Sequence, residues 1–192
     1  MVNLTAALRF GGILNENSIQ KVLENVTETR LKANEHFLAF GQIAHEIMFV
    51  SEGILRSYDV DNQGEEITKY FVRPNQFYAD LESYYNLTPC ENAIQAVTNA
   101  QVYVIKRKAW ETLNETVPNF YLYTKSIIEA TLLNKIKDND FLNYGTAMDK
   151  YRELQKRYPE IVRTVPQQYI ASYLKITPQS LSRIRKAMSK KE

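Results

Sequence analysis

The 192-residue chain has one cysteine, Cys90, so no internal disulfide framework can form. A lone thiol suits a reducing cytoplasm, where we expect the protein to reside. Histidine is nearly as scarce. His36 and His45 stand nine residues apart with no His-x-His pair, which leaves little for metal ligation or acid–base chemistry. No apolar run approaches the ~20 residues of a membrane helix, and nothing at the N-terminus resembles a secretion signal. A Ser–His–Asp constellation, a phosphate-binding loop, internal repeats and low-complexity linkers are all missing. A metal-dependent enzyme on a small β-roll would need about three converging ligands. We therefore expect no enzyme, no catalytic residue, no metal and no cofactor.

What is present is an ordinary globular balance, 44% hydrophobic and 24% charged. The net charge of +2 conceals an asymmetry. Residues 150–192 hold 11 Lys and Arg against 3 Glu, a net +8, whereas residues 1–149 hold 13 basic and 19 acidic side chains, a net −6. A basic end behind an acidic body is the footprint of a nucleic-acid-binding module joined to a different domain.

That basic end contains "YIASYLKITPQSLSRIRKA", residues 169–187. Ile170, Ala171 and Leu174 share one helical face, and Leu181, Ile184 and Met188 share another. Ile176 stands between them as an apolar plug. Thr177 is a good N-cap and Pro178 fits the first helical position, so the second helix starts there. The pattern is that of a helix-turn-helix. Lys175 occupies the turn position where glycine is usual, at a cost of about 1 kcal/mol. The outward face of the second helix carries Gln179, Ser180, Arg183, Lys186 and Lys190. Arg and Gln pair bidentately with guanine and adenine edges, while Ser and Lys suit phosphate oxygens. A helical hairpin buried in a core is the competing reading.

Upstream, Leu4 and Leu8 suit a short first helix, and Ile19, Val22, Leu23 and Val26 stripe a second. From residue 28 the period changes to two. "TRLKANEHFL", "EIMFV", "ILRSYDV", "EITKYFV", "NAIQAV" and "AQVYVIK" read as short strands punctuated by turn residues, which predicts an antiparallel sandwich or barrel. Residues 107–114 return to helix. A long helix follows from about Asn119 to Asn143. Phe120, Tyr123, Ile127, Ala130 and Asn134 form its stripe, which Ile128, Leu132, Leu133 and Ile136 widen. That width suits packing on the β domain and on a second copy of the helix; a fully buried core helix is the alternative. Gly145 can close this helix, Thr146 with Asp149 resembles a capping box, and Tyr144–Gly145 is a candidate hinge. The next helix runs from Ala147 to Tyr158 with Tyr151, Leu154 and Tyr158 inward. Pro159 stops it, and a short turn through Ile161 and Val162 leads to Pro166.

This order of elements resembles the Crp/Fnr family of bacterial transcription regulators over essentially the whole chain. The most specific segments are "YIASYLKITPQSLSRIRK" and the strand–turn–strand "MFVSEGILRSY", whose Gly53 sits where the family's cyclic-nucleotide-binding fold keeps a turn glycine. The resemblance implies an α+β fold: an N-terminal antiparallel β-roll with flanking helices (1–118), a long dimerisation helix (119–143) and a C-terminal helix-turn-helix domain (146–192). It implies a homodimer whose recognition helices reach successive major grooves of double-stranded DNA, with RNA polymerase as a further partner, no membrane association, and a small-molecule effector pocket in the roll. Base-reading positions carry over to Pro178, Gln179 and Arg183, and backbone-contacting ones to Thr177 and Ser180, with Lys186 alongside. Pro178 has no N–H to offer, so direct readout rests on Gln179 and Arg183.

The effector pocket departs from the family pattern. Nucleotide-binding members carry Gly-Glu-apolar-apolar-Gly-Glu and then an Arg that neutralises the cyclic phosphate. Here the run is Asn75-Gln76-Phe77-Tyr78-Ala79-Asp80, and Cys90 or its neighbour Glu91 stands where the Arg should be. Phe77, Tyr78, Ala79, Asp80, Cys90 and Glu91 therefore mark a degenerate site. Between Arg73 and Lys106 there is no Lys or Arg, so the expectation is that cyclic AMP does not bind usefully unless Arg56 or Arg73 arrives from elsewhere in the fold. An iron–sulfur cluster would need about four cysteines, and two histidines make a poor case for haem. Phe77, Tyr78, Tyr84 and Tyr85 could line a pocket for an apolar or aromatic effector, or simply fill the nucleotide's space. Cys90 as a redox sensor is disfavoured, because Glu91 beside it would raise the thiol pKa. The expected function is a dimeric, sequence-specific transcription regulator; the alternative is a β-roll sensing module that acts through protein partners.

Overall fold

The structure, a computed structural model, describes residues 1–189. Two short helices, α1 (Val2–Leu8) and α2 (Glu16–Leu23), precede eight strands. These are β1 (Thr27–Leu31), β2 (His36–Leu38), β3 (Glu46–Glu52), β4 (Leu55–Val60), β5 (Glu66–Val72), β6 (Gln76–Tyr78), β7 (Ala93–Ala96) and β8 (Ala100–Lys106). Helix α3 (Leu81–Asn86) interrupts the strands. Then come α4 (Arg107–Thr116), α5 (Phe120–Asn143), α6 (Ala147–Arg157), α7 (Pro159–Thr164), α8 (Gln167–Tyr173) and α9 (Pro178–Met188).

The strands form two antiparallel four-stranded sheets, ordered β1-β8-β3-β6 and β2-β7-β4-β5. Successive side chains point to opposite faces, so each sheet serves two cores. Met48 and Val50 of β3 join Leu55, Val72, Ile94, Val102 and Val104 inside the roll. Phe49 between them points the other way and packs with α1, α2, α4 and the start of α5. Gly53 makes the β3–β4 turn at φ +85; a Cβ there would lie 2.3 Å from the Asn99 carbonyl oxygen, so no other residue fits.

The sequence predicts one strand over "TRLKANEHFL". The structure breaks it into β1 and β2, which lie in different sheets, with Asn34 at φ +72 in the corner between them. Asn tolerates that left-handed geometry, and period alone does not reveal a change of sheet. A second difference follows Pro159. It opens α7 at the first helical position rather than leading into a turn, because a missing N–H costs nothing there.

Helix α5 buries Phe120 and Tyr123 but leaves Tyr121, Leu122, Ile128, Leu132, Leu133 and Ile136 exposed along its length. Gly145, at φ +86, joins it to α6, whose N-terminus carries the full Thr146–Asp149 capping box. Helices α6 to α9 share a core (Tyr151, Leu154, Ile161, Ile170, Leu174, Leu181 and Ile184) with Ile54, Phe71 and Val97 of the roll. The C-terminal helices therefore dock on the roll without an intervening linker.

Candidate functional site

Two surfaces concentrate chemistry. The first is α9. Leu181 and Ile184 anchor its inner face. Thr177 caps it, its hydroxyl accepting from the Ser180 N–H at 3.1 Å, and also donates to the Ser180 hydroxyl at 2.9 Å. Pro178, Gln179, Arg183 and Lys186 are exposed and Ser180 is half-buried. Neither Arg183 nor Lys186 forms an ion pair with another described residue. Gln179, Arg183 and Lys186 are spaced by four and three residues, so they lie on one face over about 10 Å. Lys190 falls outside the described residues. The turn before α9 places Lys175 at φ +58, and its ammonium donates to Asn143 at the end of α5, 2.9 Å away.

Helix α8 packs on β5 of the roll. The Ser172 hydroxyl accepts from Thr68 N–H at 2.9 Å and donates to the Glu66 carbonyl at 3.2 Å. Arg56, fully buried on β4, is pressed between the rings of Tyr58 and Tyr169, at 4.1 and 3.6 Å. It donates to Gln95 through Nε and Nη2 at 3.0 and 2.7 Å and pairs with Glu66, while its Nη1 has no hydrogen-bond partner. Nearby, Arg73 lies 3.8 Å over Tyr158 and 3.5 Å from Glu160. Asp138 of α5, buried, accepts from Arg157 at 2.9 Å and from the Tyr158 hydroxyl at 2.6 Å. Burial first, and then Asp138, push the Tyr158 phenol up to about 12.

The second surface is a cavity of about 450 Å³ where the roll, α5 and α8 meet. Tyr78, Ala79 and Asp80 line it from the roll, Lys135 and Asp138 from α5, and Tyr173 from α8. Asp80 is partly committed: its carboxylate accepts from the Ser83 N–H at 3.1 Å and caps α3. Burial raises the phenols of Tyr78 and Tyr173 far above their ordinary value, so both stay neutral.

The structure disperses the remaining residues of the degenerate motif. Asn75 takes the left-handed conformation, φ +66, that a glycine would supply, whereas Ala79 does not. Phe77 points to the helix-facing core. Cys90 is buried with its thiol 3.1 Å from the Ala39 carbonyl and does not line this cavity; Glu91 is exposed. Burial, then Asp80, holds the thiol pKa up; Glu91 is not among the causes. Charge compensation also differs from expectation. Arg56 and Arg73 are engaged at the α6–α8 contact, but Lys69 and Lys135 line the cavity. Lys135 lies outside the motif and arrives from α5, 55 positions further along than Asp80.

Residues 28–116 match the family model of the cyclic nucleotide-binding domain. No curated protein sequence matches the chain. Among solved structures, FixK2 from Bradyrhizobium japonicum superposes with a TM-score of 0.71 at 18% identity, over 86% of this chain and 85% of that one. The cyclic-di-GMP-responsive global regulator CLP of Xanthomonas campestris gives 0.71 at 13% identity, over 92% and 93%. A Crp/Fnr-family transcriptional regulator from Eubacterium rectale gives 0.72 at 13%, over 97% and 88%. The antiparallel β-roll with flanking helices and a C-terminal helical region is thus the architecture of Crp/Fnr-like structures.

Proposed function

We propose that the protein is a dimeric, sequence-specific DNA-binding transcription regulator of the Crp/Fnr type whose nucleotide site has degenerated. The observation that carries this reading is the exposed face of α9. Gln179, Arg183 and Lys186 stand free of the protein's own carboxylates among the described residues, on a helix whose inner face is anchored by Leu181 and Ile184. Helices α8 and α9 form the helix-turn-helix. Its first helix is spent on docking, so the second is available to a major groove about 12 Å wide. Thr177 and Ser180 meet the backbone, Gln179 and Arg183 read base edges, and Lys186 meets phosphate.

The exposed apolar stripe on α5 supports a homodimer. Leu132, Leu133 and Ile136 are more than half or half exposed, and a contiguous patch of that kind marks an interface. The 450 Å³ cavity is the effector site. Because Tyr173 of α8 forms part of its wall, occupancy bears directly on the helix-turn-helix. RNA polymerase is the further partner of a regulator of this type. Selection of bound duplexes from a random pool tests the proposal. A two-fold-symmetric consensus with half-sites about one helical turn apart is expected; binding indifferent to salt would instead favour a module acting through protein partners.

A further inference from the structure

A second cavity, of about 240 Å³, lies outside the roll between the helix-facing side of β3 and β6 and helices α3, α4 and α5. Its wall is mainly apolar, with Ile47, Phe77, Leu81, Trp110 and Ile127 among its residues. It reaches inward to Trp110 and Tyr84, which are 6% and 3% exposed. Two features are foreign to a plain packing defect. The Tyr84 hydroxyl is buried with no hydrogen-bond partner, a loss that native interiors rarely tolerate. Lys135, exposed on α5, lines the mouth of this cavity and the effector cavity alike, and no described carboxylate lies within ion-pair distance of its ammonium. Its ammonium lies 5.1 Å from the centre of the Tyr70 ring. Desolvation lowers its pKa and Asp80 opposes that shift.

We propose that this cavity binds a monocarboxylic acid with an apolar body, the body lying against Phe77, Trp110 and Ile127 and the carboxylate pairing with Lys135. The volume exceeds the ~150 Å³ that accommodates benzene in an engineered apolar cavity, so a medium-length chain or a single ring fits. Burial and then Glu111 push the Tyr84 phenol up to about 12, so that ring adds no negative charge to the cavity wall. A second copy of α5 would cover Ile128 and Leu132 at the rim, but an inward-reaching cavity with an unpaired cation asks for a small anion.

Trp110 is the chain's sole tryptophan and lines the cavity, so its fluorescence reports occupancy. Octanoate, titrated below its micellar range into the full chain, should shift Trp110 emission saturably, and 1-octanol should bind at least tenfold more weakly. Lys135→Met should remove that preference while leaving octanol binding, and Lys135→Arg should restore it. No saturable shift, equal binding of the two probes, or a preference that survives Lys135→Met would overturn the proposal. So would a shift that follows protein concentration instead of octanoate, which would assign the cavity to a second copy of the chain.

Discussion

The guanidinium of Arg56 on β4 lies 3.6 Å from the centre of the Tyr169 ring on α8. This contact joins the roll to the helical end of the chain at a fully buried cation. A desolvated cation–aromatic contact contributes up to about 2 kcal/mol. Tyr169→Leu should therefore lower unfolding stability by about 1–2 kcal/mol in urea. Arg56→Met strips a partner from Gln95 and Glu66 and should cost more, about 3 kcal/mol. Unchanged stability in Tyr169→Leu would show that the ring contact does not hold the two parts together.

Arg183 and Lys186 share a face of α9 and should fail differently. Arg183→Ala should weaken binding to the selected operator by about 1–3 kcal/mol and relax preference at one guanine. Lys186→Ala should weaken all sequences alike and reduce the salt slope by about one. Electrophoretic or fluorescence titrations across salt, on operator and scrambled duplexes, separate the two. Equal losses on every duplex for both variants would remove Arg183 from base readout.

Cyclic AMP should give no binding heat at millimolar concentration. Lys69 and Lys135 bring charge to the cavity, but as ammonium points on β5 and α5 rather than as a bidentate guanidinium beside α3. Losing that partner costs about 3–5 kcal/mol, two to four decades of affinity. A micromolar dissociation constant by calorimetry would contradict this.

The folded state should be sensitive to alkali. Burial holds the phenols of Tyr84 and Tyr158 up to about 12, and raises those of Tyr78, Tyr123 and Tyr173 as well. In the unfolded chain they ionise near ~10. Below that pH both states hold the proton and nothing is lost. Above it the unfolded state releases protons that the folded state retains, so stability falls as pH rises from about 10 towards 12. Circular dichroism should track phenolate absorbance across that window. Unfolding complete before phenolate appears would point to another cause.

Lys175 holds φ +58 in the turn between α8 and α9. Lys175→Gly should relieve about 1 kcal/mol of backbone strain and raise the melting temperature by about 2–4 °C. Its exposed bond to Asn143 is the interaction given up. A lower melting temperature by calorimetry would show that bond to outweigh the strain.

Much of this architecture could be read from local chemistry. Thr177–Pro178 announces the start of α9, Thr146 with Asp149 announces α6, and alternation announces β3, β4, β5 and β8, because each signal depends on neighbours in sequence. What escaped depends on neighbours in space. Asn34 turns the chain from one sheet to the other, a choice made by β8 and β7 as partners. Lys135 reaches the cavity only because α5 folds back across the roll. Arg56 is sealed in by Tyr169, 113 positions later, a closure that no local pattern announces.

The division of labour between α8 and α9 bears on how such a protein can diverge. Attachment resides in Tyr169 and Ser172, and the outward chemistry in Gln179, Arg183 and Lys186. Substitutions that retune the grip of one helix leave the other's vocabulary untouched. If α9 reads promoters as proposed, a lineage carrying this fold can change which ones it addresses without relearning how it listens, and the reverse holds equally.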